Sequence, residues 1–171
     1  MTQAPDHVDQ IQHEWARERP DVDVRPQGVI GRLHRLALAL TAEITAVYRE
    51  HGLGEGEFDV LATLRRAGAP YERAPGDLAA HTMVTTGAMT KRVDRLVAAG
   101  LVTRRPSADD GRGRVVALTP RGVQVVDAAF TAHMANERRL LDLLGSEADA
   151  AALERLLRTW LAALAAAEDR A

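Results

Sequence analysis

The feature that most constrains this 171-residue chain is the segment from Asp77 to Thr119, where two short helices and a hairpin follow one another almost without spacers. One helical pattern starts at Asp77, and a second starts at Thr85 or Thr86 and ends at Gly100. Two short apolar runs then flank a loop rich in turn formers. Aromatic residues make up only 4% of the chain, so the core must be Leu, Val and Ala, which suits close-packed helices. We therefore predict a mainly α fold in which a helical lobe carries a two-stranded hairpin.

The same segment carries a net positive charge, whereas the rest of the chain is net negative. From Met83 to Arg114 seven Lys and Arg residues stand against three Asp residues, a net charge of about +4, while the rest of the chain carries about −6. An acidic chain that concentrates its positive charge in one segment presents that segment to a polyanion. A helix pair followed by a basic hairpin suits a DNA duplex, with a helix in the major groove and the hairpin against the minor groove. We expect double-stranded DNA as the partner.

Composition excludes several other classes of function. The chain has no cysteine, which rules out disulfides, thiolate metal sites and thiol-based redox sensing. The six histidines show no metal-ligand spacing, so we expect no bound metal. Nucleotide-binding loops and nucleophile motifs are missing, and we expect neither a cofactor nor an enzyme. No apolar run approaches the ~20 residues needed to span a bilayer, and the N-terminus carries no signal pattern, so we expect a cytoplasmic protein without membrane association.

Amphipathic helices flank the basic segment on both sides. They are predicted over Asp6–Arg19, Gln27–His51, Glu55–Arg66, about 120–144 and about 147–168. An acidic linker bounded by prolines separates the first two helices, and residues 69–75 are predicted as a loop. Helices of this length cannot bury their apolar stripes on so small a lobe. We therefore expect them to pair with a second copy of the chain in a homodimer.

The second helix of the basic segment has two distinct faces. Its inward stripe is predicted to consist of Met89, Val93, Leu96 and Val97. Its outward face is predicted to carry Thr86, Thr90, Lys91, Asp94 and Arg95. Strands are predicted over Leu101–Arg105 and Arg114–Leu118. A polar, basic face opposite an apolar one predicts contacts with bases and phosphates.

Two stretches, FDVLATLRRAG and DLAAHTMVTTGAMTKRVDRLVAAGLVTRRPSADDGRGRVVALTPRG, closely resemble the MarR family of winged helix-turn-helix repressors, over about residues 30–164. The resemblance implies a homodimer on a palindromic operator, with half-sites about one helical turn apart. It implies a DNA-binding region over 55–119, dimerisation helices over 27–54 and 120–171, and an N-terminal helix and linker over 1–26. It also implies a wing tip in which Asp110 steadies Arg112 in the minor groove. The predicted DNA-binding residues are Thr85, Thr86, Thr90, Lys91, Arg95, Asp110, Arg112 and Arg114.

The added N-terminal helix is similar to that of the urate-responsive branch of the family. The resemblance implies a small anionic effector bound by Trp15, Asp59, Arg92 and Arg104. Two forked Arg donors and an indole face suit a planar anion, such as urate, another purine, a tricarboxylate or a phenolic acid. An anion near Arg92 would repel Asp59 and displace the DNA-reading helix. The alternative is a DNA-binding regulator or architectural protein without a small-molecule effector.

Overall fold

The computed structural model describes residues 4–82, 86–106 and 114–170, and the chain divides into two compact units, Met1–Ala46 and Val47–Ala171. Ten elements lie in these ranges, of which seven are helices, so the predicted mainly α class is confirmed. No helix within the described residues is long and apolar enough to cross a membrane.

The first unit holds helix α1 (His7–Glu18) and most of helix α2 (Pro26–Glu50). Asp6 caps α1 by accepting hydrogen bonds from the backbone N–H groups of Val8 and Asp9, which satisfies donors that have no partner within the helix. Arg32 of α2 pairs with both Asp6 and Asp9, at 2.8 and 2.7 Å. The hydrogen bond from Arg32 is the main reason that the pKa of Asp6 falls to about 2. One guanidinium therefore fastens the start of α1 to α2.

The second unit is built around helices α3 (Glu55–Arg65), α4 (Pro75–Thr82) and α5 (Thr86–Ala98). Its core is aliphatic, as expected from the composition. Side chains at most 5% exposed include Phe58, Leu61, Leu64, Leu78, Met89, Val93 and Leu96. The prediction that Val97 belongs to the inward stripe of α5 is wrong, because its side chain is 39% exposed. A residue next to Leu96 on a 3.6-residue turn lies at the border of the stripe, and here the border faces outward.

A three-stranded antiparallel sheet follows, and it corrects two expectations. Strands β2 (Val102–Pro106) and β3 (Arg114–Leu118) form the predicted hairpin, with Val102 opposite Leu118 and Pro106 opposite Arg114. A two-residue strand β1 (Glu72–Arg73) pairs with the other edge of β3, inside the stretch predicted as a loop. The sheet order is β1-β3-β2, so the hairpin is not two-stranded in isolation.

Helices α6 (Pro120–Asp142) and α7 (Glu147–Glu168) complete the chain. Thr119 connects three elements, because its hydroxyl donates to the carbonyl of Gly100 and accepts from the N–H of Gly122, while its own N–H donates to the carbonyl of Leu101. A Cβ on Gly122 would lie 2.0 Å from the Leu101 carbonyl oxygen, so only glycine permits this approach. The end of α5, the start of β2 and the start of α6 therefore meet at one junction.

Candidate nucleic-acid interface

Helix α5 has the two faces that its sequence predicted. Met89, Val93 and Leu96 are each 2% exposed and hold the helix against the core. Thr90, Lys91 and Arg95 lie on the exposed side. A helix anchored by one apolar face presents the other face in a fixed orientation, which is what groove recognition needs.

Arg95 is paired with a carboxylate of the neighbouring helix. Its Nε donates to Oε1 of Glu57, while Oε2 of Glu57 accepts from the N–H of Gly54 at 2.7 Å. The Glu57 side chain is 17% exposed and that of Arg95 is 60% exposed. Burial acts to raise the pKa of Glu57, but the hydrogen bonds from Arg95 and Gly54 outweigh it and leave the pKa below its ordinary value. Glu57 thus caps α3 and holds a basic side chain of α5 at the same time.

The base of the hairpin is fixed by two further ion pairs. Arg104 of β2 pairs with Asp94 of α5, and Arg105 pairs with Glu72 of β1. Arg114, the first residue of β3, is exposed. These contacts fasten β2 to the exposed side of α5 and to the short strand β1, and they bring the basic hairpin close to the basic face of the helix.

Several of the predicted DNA-binding residues fall outside the description. Thr85, Asp110 and Arg112 lie outside the described residues, and so does the side chain of Thr86. The expected contact of Arg112 with the minor groove, steadied by Asp110, therefore stays a prediction from the sequence.

Two of the four predicted effector residues come together in the second unit. Asp59 of α3 and Arg92 of α5 are both partly buried and close enough to interact electrostatically. Burial raises the pKa of Asp59 and the charge of Glu55 adds to the rise, whereas Arg92 and Arg66 oppose it. Nη1 of Arg92 is buried and has no hydrogen-bond partner within the described part of the chain. Arg92 therefore retains unused donor capacity beside a carboxylate that is costly to ionise.

The other two predicted effector residues have different surroundings. Arg104 is engaged with Asp94. Trp15 belongs to the first unit, where its side chain is 52% exposed and lines a surface cavity of about 280 Å³ together with Arg19, Asp23 and Gln27. An exposed indole at the edge of a cavity is a suitable surface for a flat ring.

A family model described as the MarR family matches residues 51–113, which include helices α3, α4 and α5 and strand β2. The HTH-type transcriptional regulator PecS of Dickeya dadantii is 38% identical over 140 residues, which are 82% of this chain and 84% of that protein. The chain belongs to the MarR family. Its members are DNA-binding transcriptional regulators, and the curated relatives it matches are regulators rather than enzymes.

Solved structures of MarR-family proteins share the fold. A mutant MarR from E. coli complexed with operator DNA has a TM-score of 0.67 and 27% identity, and the match covers 82% of this chain and 99% of that one. Sco5413 of Streptomyces coelicolor, a MarR family transcriptional regulator, also has a TM-score of 0.67 and 27% identity over 84% of this chain and 97% of that one. The winged helix-turn-helix arrangement predicted from the sequence is therefore shown.

The roles of two acidic residues in this interface were not predicted from the sequence. Glu57 was not expected to hold Arg95, although its position three residues after Gly54 is typical of a capping carboxylate. Asp94 was assigned only to the exposed face of α5, and no local pattern indicates that it pairs with Arg104. Among the described residues no cluster of three or more His, Asp or Glu side chains could hold a metal ion.

Proposed function

We propose that this MarR-family chain is a homodimeric repressor that leaves a palindromic operator when a small organic anion binds. Residues 55–119 form the DNA-binding region, residues 27–54 and 120–171 form the dimerisation helices, and residues 1–26 form an N-terminal helix and linker. The exposed basic face of α5, opposite a face that is 2% exposed, is the observation that carries the proposal.

Helix α5 lies in the major groove in this proposal, and the hairpin reaches the adjacent minor groove. Lys91 and Thr90 contact phosphates and base edges, Arg114 lies beside the minor groove, and Arg95 reaches DNA after leaving Glu57. Thr85, Thr86, Asp110 and Arg112 complete the contacts expected from the sequence. The similarity to a MarR that is complexed with operator DNA supports this docking.

Dimerisation is supported by apolar side chains that the single chain leaves exposed. On α2, α6 and α7 these include Val29, Ile30, Leu36, Leu38, Phe130, Met134, Leu141, Leu156, Leu161 and Leu164, with exposures of 39–75%. So many large apolar side chains on long helices are typical of a surface that a second subunit covers.

The effector site is supported by Arg92 and Asp59. An anion near the free donor of Arg92 gains a charge-assisted hydrogen bond and at the same time repels the Asp59 carboxylate. The two residues lie on α5 and α3, so the repulsion changes the fit of the DNA-reading helix on its neighbour. A coupling of about 1–3 kcal/mol between anion and operator would give a 5–150-fold response. A regulator without an effector remains the second candidate.

The DNA part of the proposal is tested with an operator selected from a pool of random duplexes. Binding of the full chain is measured by fluorescence anisotropy at several salt concentrations. If about six phosphates are contacted, the plot of log K against log[salt] has a slope of roughly −5. Equal affinity for a scrambled duplex, or a flat salt response, would rule out operator recognition.

The effector part is tested by titrating urate, xanthine, citrate and salicylate into the operator complex. One of them is expected to release DNA, and the Trp15→Phe variant is expected to need more of it. The Asp59→Asn variant is expected to bind that anion at least as well as the parent but to release DNA less completely. Arg92→Ala and Arg104→Ala weaken anion binding and also disturb operator binding, since both side chains contact α5 or lie on it. Release by none of the four anions would favour the regulator without an effector.

A further inference from the structure

The first turn of α3 approaches α5 at a glycine. A Cβ built on Gly56 would lie 2.3 Å from both Nε and Cζ of Arg92 and 2.7 Å from its Nη2. These separations are well inside van der Waals contact, so the guanidinium occupies the space that a side chain at position 56 would need. Its remaining nitrogen, Nη1, is the buried donor without a partner in the described ranges.

We propose that Gly56 is a positioning residue of the effector site, because its missing side chain lets the Arg92 guanidinium lie against α3 beside Asp59. Gly56 does not contact the anion itself. It determines where the Arg92 donors are when the anion arrives and how far their positive charge is from Asp59. The position of the Arg92 guanidinium against Gly56 is a property of the free protein. Only the binding of an anion by this guanidinium rests on the proposed function.

Backbone conformation gives no other reason for glycine at this position. Gly56 lies in the helical part of α3 and is not among the glycines of the described residues that have a positive φ, which are Gly52, Gly68, Gly100 and Gly145. Glycine is less favourable than alanine inside a helix, so its presence weakens the helix that must carry Glu57 and Asp59. The close approach of Arg92 is the physical feature that alanine would not allow.

The experiment compares Gly56→Ala, Arg92→Ala and the double variant with the parent. Gly76→Ala is the matched control, because Gly76 also lies in a helix but has no atom within 4 Å of its built Cβ. The pKa of Asp59 is measured by NMR titration of its carboxyl carbon in the full chain without ligand. Glu55, Arg66 and Arg92 are the charged groups that act on this carboxyl, and Tyr48 lies within its electrostatic reach.

Gly56→Ala is expected to displace the guanidinium from the position in which it lowers the pKa of Asp59, and therefore to raise that pKa further. Arg92→Ala should raise it in the same direction, the double variant should match Arg92→Ala, and Gly76→Ala should leave it unchanged. An unchanged pKa of Asp59 in Gly56→Ala would overturn the proposal, whatever the anions do.

Folding and anion binding give the remaining outcomes. If Gly56→Ala fails to fold but the double variant folds, removal of the Arg92 side chain has relieved the clash and the proposal stands. If the double variant also fails to fold, Gly56 is needed for another reason and the proposal is wrong. For an anion that releases the parent from its operator, Gly56→Ala should weaken binding by at least about fivefold. If no anion releases the parent from its operator but the pKa of Asp59 still shifts in Gly56→Ala, the effector hypothesis is wrong. The conclusion that Gly56 positions the Arg92 guanidinium is then still supported.

Discussion

The pair between Glu57 and Arg95 predicts a substitution that weakens the fold and strengthens DNA binding. Glu57→Gln keeps the shape of the side chain, and its amide oxygen can still accept the Gly54 N–H, so the cap of α3 survives. What is lost is the negative charge. In the free protein this charge holds Arg95, and in our proposal Arg95 must leave it to reach a phosphate.

The magnitude follows from exposure. Arg95 is 60% exposed, so its ion pair with Glu57 contributes about 0.2–1 kcal/mol. The negative charge of Glu57 also stabilises α3 by about 0.3–1 kcal/mol, because it lies near the positive N-terminal end of the helix dipole. Glu57→Gln should therefore lower the free energy of unfolding by about 1 kcal/mol, which corresponds to a Tm lower by roughly 2–4 °C for a chain of this size. Removing the competing charge should raise operator affinity by about two- to fivefold.

Tm is measured by circular dichroism at fixed protein concentration, and operator affinity by anisotropy at physiological salt. Glu55→Gln is the control, because Glu55 is exposed in the same helical turn and loses the same helix-end interaction without touching Arg95. It should lower Tm by less and leave operator affinity nearly unchanged. A fall in operator affinity in Glu57→Gln would refute the reasoning, because it would mean that Glu57 positions Arg95 for DNA instead of competing with it.

Two other contacts give predictions of a different kind. The pKa of Asp6 is about 2 because Arg32 donates to it, so the contribution of this pair to folding is complete above the ordinary value near 4 and is lost as pH falls towards 2. Exposure of Trp15, followed by fluorescence in a Trp160→Phe background, should increase over that window in the parent. Asp6→Asn, which still caps α1 and keeps only the Arg32–Asp9 pair, should show a smaller pH dependence. Gly122→Ala places a methyl group 2.0 Å from a backbone oxygen, so it should destabilise the protein by about 1–3 kcal/mol or more in urea unfolding, whereas Gly76→Ala should not.

Local sequence signals predicted the helices well because each has its own periodicity and boundary residues. The apolar spacing of Met89, Val93 and Leu96 identified the buried face of α5, and the Thr119-Pro120 pair marked the start of α6 within one residue. Strand β1 was missed because two residues carry no periodicity. Glu72 and Arg73 are extended because β3 offers a free edge, and that edge exists only once the chain has folded.

The site was predicted less completely for a similar reason. The basic residues of α5 were identified correctly as an exposed face, but their acidic partners come from other elements. Glu57 lies 38 residues before Arg95, and Asp94 lies 10 residues before Arg104. Such pairs depend on the way α3, α5 and β2 pack together, and this packing cannot be predicted from the spacing of residues along the chain. The role of Gly56 could not be predicted from the sequence either, because it depends on the Arg92 side chain of another helix.

The position of β2 at the edge of the sheet has a consequence for the solution behaviour of the protein. The order β1-β3-β2 leaves the outer backbone groups of β2 without a strand partner among the described residues, and such an edge can recruit strands of other molecules. Arg104, Arg105 and the terminal Pro106 make this edge a poor template, because charge and a missing N–H both oppose strand addition. Replacing both arginines by Val or Thr should therefore promote aggregation even in a protein that folds normally. In this reading, Arg104 and Arg105 oppose edge-to-edge association of β2 between molecules, in addition to adding positive charge to the DNA-binding region.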